Sequence, residues 1–223
     1  MTNRARLAVL ISGGGSNLAA LMEACEDPAY GANVVLVVAD RDGCGGVEIA
    51  KDVGIDTAVL KVSDYAERNE WDRALAARLS EAQPDLVVSA GFLKMLGSAT
   101  LAAFPGRIIN THNSLLPAFP GIHGPADALA YGVKIAGATL FIVDDGMDTG
   151  QILAQCAVPV LDGDTEETLL ERIKVAERAQ LVQTVGAMVR DGWRISGRRA
   201  ILNSPADDPG TLNGQPGLSI PVE

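Results

Sequence analysis

The sequence predicts an α/β fold: a single domain built on a Rossmann-like, mixed but mostly parallel sheet flanked by helices. Three observations predict it. Short β-rich runs alternate with amphipathic stretches through the first half of the chain. A glycine-rich turn follows the first run and opens the first helix. After residue 111 two strand-like runs are joined by a short polar connection, as an antiparallel pair requires.

Each element has its own warrant. Residues 5–12 form a nearly continuous apolar run, the mark of a strand covered on both faces. Residues 33–39, 57–62, 85–90 and 107–111 supply the other strands of the first half. Between them, 17–25, 47–53 and 65–82 read as helices, the last with Trp71, Leu75, Ala76 and Leu79 on one face. Residues 136–143 and 151–160 are strand-like and flank the polar stretch Asp144-Asp145-Gly146-Met147-Asp148-Thr149-Gly150. Connections after residue 111 are expected to be too short for further helical crossovers. Asp164 stands three residues before Glu167, a capping-box-like start for a helix reaching about Arg190. Residues 193–202 are expected to add one or two short strands.

Bulk properties narrow the function. With 223 residues and 48% hydrophobic side chains, the chain can bury a substantial core. A net charge of −10 argues against nucleic acid as a partner, because its capture needs clustered Lys and Arg. The apolar runs are far shorter than the roughly 20 residues of a membrane span, and the N-terminus lacks the apolar core of a secretory signal. A cytoplasmic protein with no membrane partner is therefore expected. The three cysteines, Cys25, Cys44 and Cys156, lie far apart without zinc-site spacing, so they read as reduced packing residues and no metal is expected.

Two features carry chemistry. In Ile11-Ser12-Gly13-Gly14-Gly15-Ser16-Asn17-Leu18 the glycines let the backbone turn sharply, and amides at a helix start can bind a phosphate. The motif matches neither a dinucleotide fingerprint nor a P-loop, although Asp40 at the end of the second strand could serve as a ribose-binding acid in a nicotinamide enzyme. The second feature is His112, just beyond a strand in Asn110-Thr111-His112-Asn113-Ser114-Leu115-Leu116-Pro117. Strand alternation places Asn110 and His112 on the same side, an amide donor beside a proton-transfer group. That pairing suits a carbonyl oxygen acquiring negative charge. Asp148, in its glycine-bounded loop, could be brought against the imidazole, where a carboxylate favours the charged form.

Together, Ile11 to Leu18, Gly91 to Leu96, Asn110 to Pro117 with Phe119-Pro120-Gly121, and Asp148-Thr149-Gly150 resemble the folate-dependent formyltransferases. The resemblance covers roughly residues 5–200 and implies the formyltransferase fold. It implies transfer of a formyl group from the co-substrate 10-formyltetrahydrofolate to the amine of glycinamide ribonucleotide in purine (IMP) synthesis, without a metal. By resemblance, His112 is the proton-handling residue, Asn110 an oxyanion donor that also contacts folate, and Asp148 the carboxylate that supports the charged imidazole and orders water. Gly15, Ser16 and Asn17 become the phosphate turn and Glu177 a ribose ligand. Arg68, Leu93, Lys94, Met95 and Leu96 become folate contacts.

The resemblance also implies domain organisation: a domain over 1–202, nucleotide-binding to about 106 and folate-binding and catalytic from about 107, with 203–223 as an extension. A homodimer is compatible with it. Members that formylate a tRNA usually bring a further basic domain, for which this acidic chain has little room. Hydrolytic members generally carry an N-terminal regulatory domain, whereas here the catalytic domain starts by about residue 5. Two positions depart from the pattern: Asn113 stands where many members have proline, and Phe141 where many have histidine. His123, in the loop after Phe119-Pro120-Gly121, reads equally well as a ligand contact or an exposed loop residue.

Overall fold

The computed structural model describes residues 4–203; the expected extension, apart from Asn203, lies outside the described residues. Seven strands form one sheet in the order β3-β2-β1-β4-β5-β6-β7. The first five are parallel: β1 (Ala5–Ile11), β2 (Ala32–Ala39), β3 (Asp56–Val59), β4 (Leu86–Ser89) and β5 (Ile108–His112). Then β6 (Ile135–Ile142) and β7 (Ile152–Pro159) continue it in antiparallel fashion. A separate hairpin of β8 (Trp193–Ser196) and β9 (Arg199–Leu202) follows the last helix.

Helices cover both faces, which is why the central strands are apolar in nearly continuous runs rather than at alternate positions. Leu7, Val9 and Ile11 of β1 face one core with α1 (Ser16–Glu26), α2 (Gly45–Asp52) and α6 (Glu166–Asp191). Ala8 and Leu10 face the other, packed with Trp71, Leu75 and Leu79 of α3 (Arg68–Ala82) and with Phe104, just past α4 (Ser98–Ala103). Trp71 is fully buried, and its indole N–H donates to the Leu60 carbonyl at 2.8 Å, so the largest core side chain leaves no polar atom unpaired.

Strand order reverses between β1 and β4, and such a reversal opens a crevice beyond the carboxyl ends of the two strands. The chain stitches this crevice together: Ser12 N–H donates to the Gly91 carbonyl at 3.1 Å, and Leu93 N–H to the Ser12 hydroxyl at 2.8 Å.

Three expectations need correction. The segment after β5 contains a helix, α5 (Gly124–Tyr131), whose Gly-Pro start and proline- and glycine-broken lead-in read as loop. The short α4 likewise lacks a clear amphipathic period. The cap of α6 is Thr165, whose hydroxyl accepts from Thr168 N–H at 3.3 Å, while Asp164 accepts from Leu161 N–H and pairs with Arg172 at 2.7 Å. Finally, His112 is the last residue of β5, still paired with Thr139, rather than a residue beyond the strand.

No helix among the described residues is long and apolar enough to cross a membrane.

Candidate active site

A pocket of about 600 Å³ opens at the crevice, walled by the turn after β1, the segment after β4, the end of β5 and the loop between β6 and β7. It gathers Asn110, His112 and Asp148 with Gly15, Ser16, Asn17, Glu177, Leu93, Lys94, Met95 and Leu96. Of the residues expected in the site, Arg68 is absent from the lining.

At one end, Gly15 adopts φ 80° and caps α1 without a side chain, leaving the first-turn amides free of an internal cap. The turn is braced from behind by a second glycine pair: Gly46 N–H donates to the Gly13 carbonyl at 3.3 Å, and a Cβ on Gly15 would lie 2.6 Å from the Gly46 Cα. Asn17 and Glu177 are both buried, and the Asn17 amide donates to the Glu177 carboxylate at 3.0 Å. Lys174 joins the lining three residues before Glu177. Sequence reasoning missed it, although (i, i+3) spacing puts it on the same helix face. The free amides at the start of α1 give this end a local donor surface, while Lys174 is paired with Glu171 at 2.8 Å.

At the centre stands His112, 8% exposed. Its Nε2 lies 2.9 Å from the Phe119 carbonyl, which can only accept, so Nε2 carries a proton and Nδ1 is the nitrogen left free to exchange one. Nδ1 lies 3.7 Å from Asp148 Oδ2, which also accepts from Gly121 N–H at 2.8 Å. Both partners of the imidazole have left-handed backbones, Phe119 at φ 51° and Asp148 at φ 55°. Non-glycine residues hold this region at a cost of roughly 1–2 kcal/mol each, so the strain is concentrated around one ring.

Asp148 arrives by an unexpected route. Because β6 runs antiparallel to β5, its last residue pairs with Ile109, and Val143 N–H donates to the Ile108 carbonyl at 2.9 Å. The loop therefore starts near the beginning of β5 and turns back along the sheet to reach His112 at its other end. Asp144 accepts from Gly146 N–H at 3.1 Å and from the Thr149 hydroxyl at 2.6 Å, which closes the loop on itself. Arg198, from the β8–β9 turn, donates to the carbonyls of Thr149 at 2.7 Å and Gly150 at 3.4 Å.

The opposite end is apolar. Leu93 and Met95 expose 61% and 52% of their surface beside Ile122 and Met147, also exposed and also lining the pocket. Arg68 stacks 4.0 Å over Trp71 and donates to the Met95 carbonyl, so it borders this end through the backbone it holds. Asp40 is not an open ribose ligand: its carboxylate is occupied by Arg41 at 3.0 Å and Lys94 at 3.5 Å.

The two departures fall inside the pocket. Phe141 sits across the strand pair from Asn110, presenting a ring where a proton-transfer group would otherwise stand. Asn113 lines the wall, and its Oδ1 is buried with no hydrogen-bond partner among the described residues. His123 lies outside the lining, at the cap position of α5. Among the described residues no three His, Cys, Asp or Glu side chains gather as a metal site would.

Comparison with known proteins agrees with this geometry. The family model described as formyl transferase matches residues 5–185. A phosphoribosylglycinamide formyltransferase of Mycobacterium tuberculosis is 52% identical over 198 residues, 89% of this chain and 91% of that protein. The Escherichia coli protein of that name is 37% identical over 173 residues, 78% of this chain and 82% of its own. A solved structure, glycinamide ribonucleotide transformylase 1 from Symbiobacterium toebii, superposes with a TM-score of 0.88 at 39% identity, covering 92% of this chain and 96% of that one. With residues 5–185 inside the family match and relatives this similar along most of their length, the chain belongs to the formyl transferase family.

Proposed function

We propose that this chain transfers the formyl group of 10-formyltetrahydrofolate to the amine of 5'-phosphoribosylglycinamide, a step of purine (IMP) synthesis. One observation carries the reading: a single pocket joins a phosphate-ready helix start to an apolar end, with Asn110, His112 and Asp148 between them. The ribonucleotide phosphate takes the Gly15, Ser16 and Asn17 turn, and Glu177 takes the ribose. The folate ring system takes the end walled by residues 93–96. Arg68 supports that end by holding Met95.

In this reading the neutral amine attacks the formyl carbon, giving a tetrahedral intermediate with a negative oxygen and a positive nitrogen. Asn110 donates to the oxygen. His112 passes the proton through Nδ1 from the attacking nitrogen to the departing folate nitrogen, with an ordered water completing the reach. The carbon–nitrogen bond to folate then breaks, and the formamide product leaves with neutral tetrahydrofolate. Asp148, facing Nδ1, stabilises the imidazolium during the relay and anchors the water.

Mixing the purified chain with 10-formyltetrahydrofolate, with and without the ribonucleotide, tests the reading. Folate release that requires the ribonucleotide is expected. Release at the same rate without it would make water the acceptor and overturn the proposal.

A further inference from the structure

The segment joining β4 to α4 forms the apolar end of the pocket; Phe92, stacked on Trp71, and Leu96 tie its two ends to the core, but the side chains between them do not. Leu93 and Met95 are more exposed than buried, so packing contributes little to their position. Polar anchors hold the segment instead. Leu93 N–H donates to the Ser12 hydroxyl at 2.8 Å. The Lys94 ammonium lies 3.5 Å from Asp40 Oδ2. The Met95 carbonyl accepts from Arg68, and Gly97 N–H donates to Asp72 at 2.8 Å.

One of these anchors ends on a buried acid. Asp40 closes β2, its side chain is 0% exposed, and it lies outside the pocket lining. A carboxylate removed from water is costly unless paired, and its pairing is extensive. Arg41 binds both oxygens, at 3.1 and 3.0 Å, and Lys94 approaches one of them. Burial pushes this carboxyl upward, but the hydrogen bonds from Arg41 and Ser12 and the charges of Arg41 and Lys94 outweigh it, so the group stays ionised.

We infer that Asp40 is a positioning residue for folate recognition, holding residue 94 through the Lys94 ammonium and so setting the shape of the apolar end of the pocket. The inference rests on the proposed function for the identity of the ligand. It accounts for an acid that sequence inspection matches to a nicotinamide enzyme, and it gives Lys94 a partner inside the protein.

The test uses the full-length chain with Asp40→Asn, Asp40→Glu and the double variant Asp40→Asn/Lys94→Met beside Lys94→Met. Binding of 10-formyltetrahydrofolate without acceptor is followed by calorimetry, and KM is measured for both substrates. Asp40→Asn is expected to weaken folate binding about tenfold and raise the folate KM in step, with the ribonucleotide KM within about twofold. Asp40→Glu should restore part of the loss, and the double variant should bind no worse than the weaker single variant, as coupled partners do. Equal folate affinity in the wild type and a folded Asp40→Asn protein, or fully additive losses in the double variant, would overturn the assignment alone. A wild type that binds no folate would take down the proposed function and this assignment with it.

Discussion

His112 is clasped between a carbonyl and a carboxylate, each delivered by a residue with a left-handed backbone. Such an arrangement fixes which ring nitrogen is free to exchange a proton. Under the proposed mechanism, His112→Ala and Asp148→Asn should each lower kcat by orders of magnitude while substrate affinities change far less. Near-normal turnover in a folded variant of either would remove it from the relay. Asn110→Ala should lower kcat/KM by up to about 3 kcal/mol of transition-state stabilisation, the upper scale for one oxyanion donor. Steady-state kinetics with both substrates check all three. The residue types and their spacing were legible in the sequence, because Asn110 and His112 alternate on one strand. The Phe119 carbonyl was not, since any residue carries a carbonyl and only the fold brings this one to the ring. Nor was the internal pairing of Arg68 and Lys94, which read as solvated or ligand-facing charges until the backbone and the acid they hold are placed beside them.

At the level of elements, the phosphate-ready turn depends on α2 as much as on α1. A Cβ on Gly46 would lie 2.6 Å from Ile11 Cδ1 and 3.0 Å from the Gly15 Cα, closer than the packing tolerates. One on Gly45 would lie 3.5 Å from Gly14, an ordinary contact. Gly46→Ala should therefore cost on the order of 1–3 kcal/mol of stability by overpacking and raise the ribonucleotide KM, whereas Gly45→Ala should leave both close to wild type. Thermal melts and KM values for the pair check this, and equal behaviour of the two variants would refute it. Strands β1, β2 and β4 were readable because burial on both faces writes a nearly continuous apolar run. Helix α5 was not, because its start is a Gly-Pro pair inside a loop-like stretch and its length is only eight residues.

Across the whole molecule, the last long helix closes the structure over the first. Tyr30, just after α1, donates its hydroxyl to the Val182 carbonyl of α6 at 2.9 Å, linking parts of the chain 152 residues apart. Burial, and after it the neighbouring Cys25, raises this phenol above its ordinary value. The neutral phenol is thus favoured by folding, so its contribution is complete below about pH 10, where an unfolded tyrosine is still protonated, and fades as pH climbs toward the raised folded value. Tyr30→Phe should cost roughly 1 kcal/mol at neutral pH and should show a smaller decline above pH 10 than the wild type. Urea unfolding from pH 7 to 11 measures both, and parallel declines would refute the linkage. This long-range tie was invisible in the sequence, where Tyr30 reads as one more apolar residue before a strand. The mixed sheet was visible, because the 144–150 connection is too short for a crossover.

That same connection has a further consequence. Its backward path along β5 makes residues 144–147 a spacer of set contour, and the carboxylate at its end meets the imidazole only at one spacing. Under the proposed mechanism, chain length between β6 and Asp148 is therefore a catalytic variable in its own right. Even with the contacts of Asp144 and Gly146 kept, an added or deleted residue would move the acid off its target while the sheet beneath stayed whole.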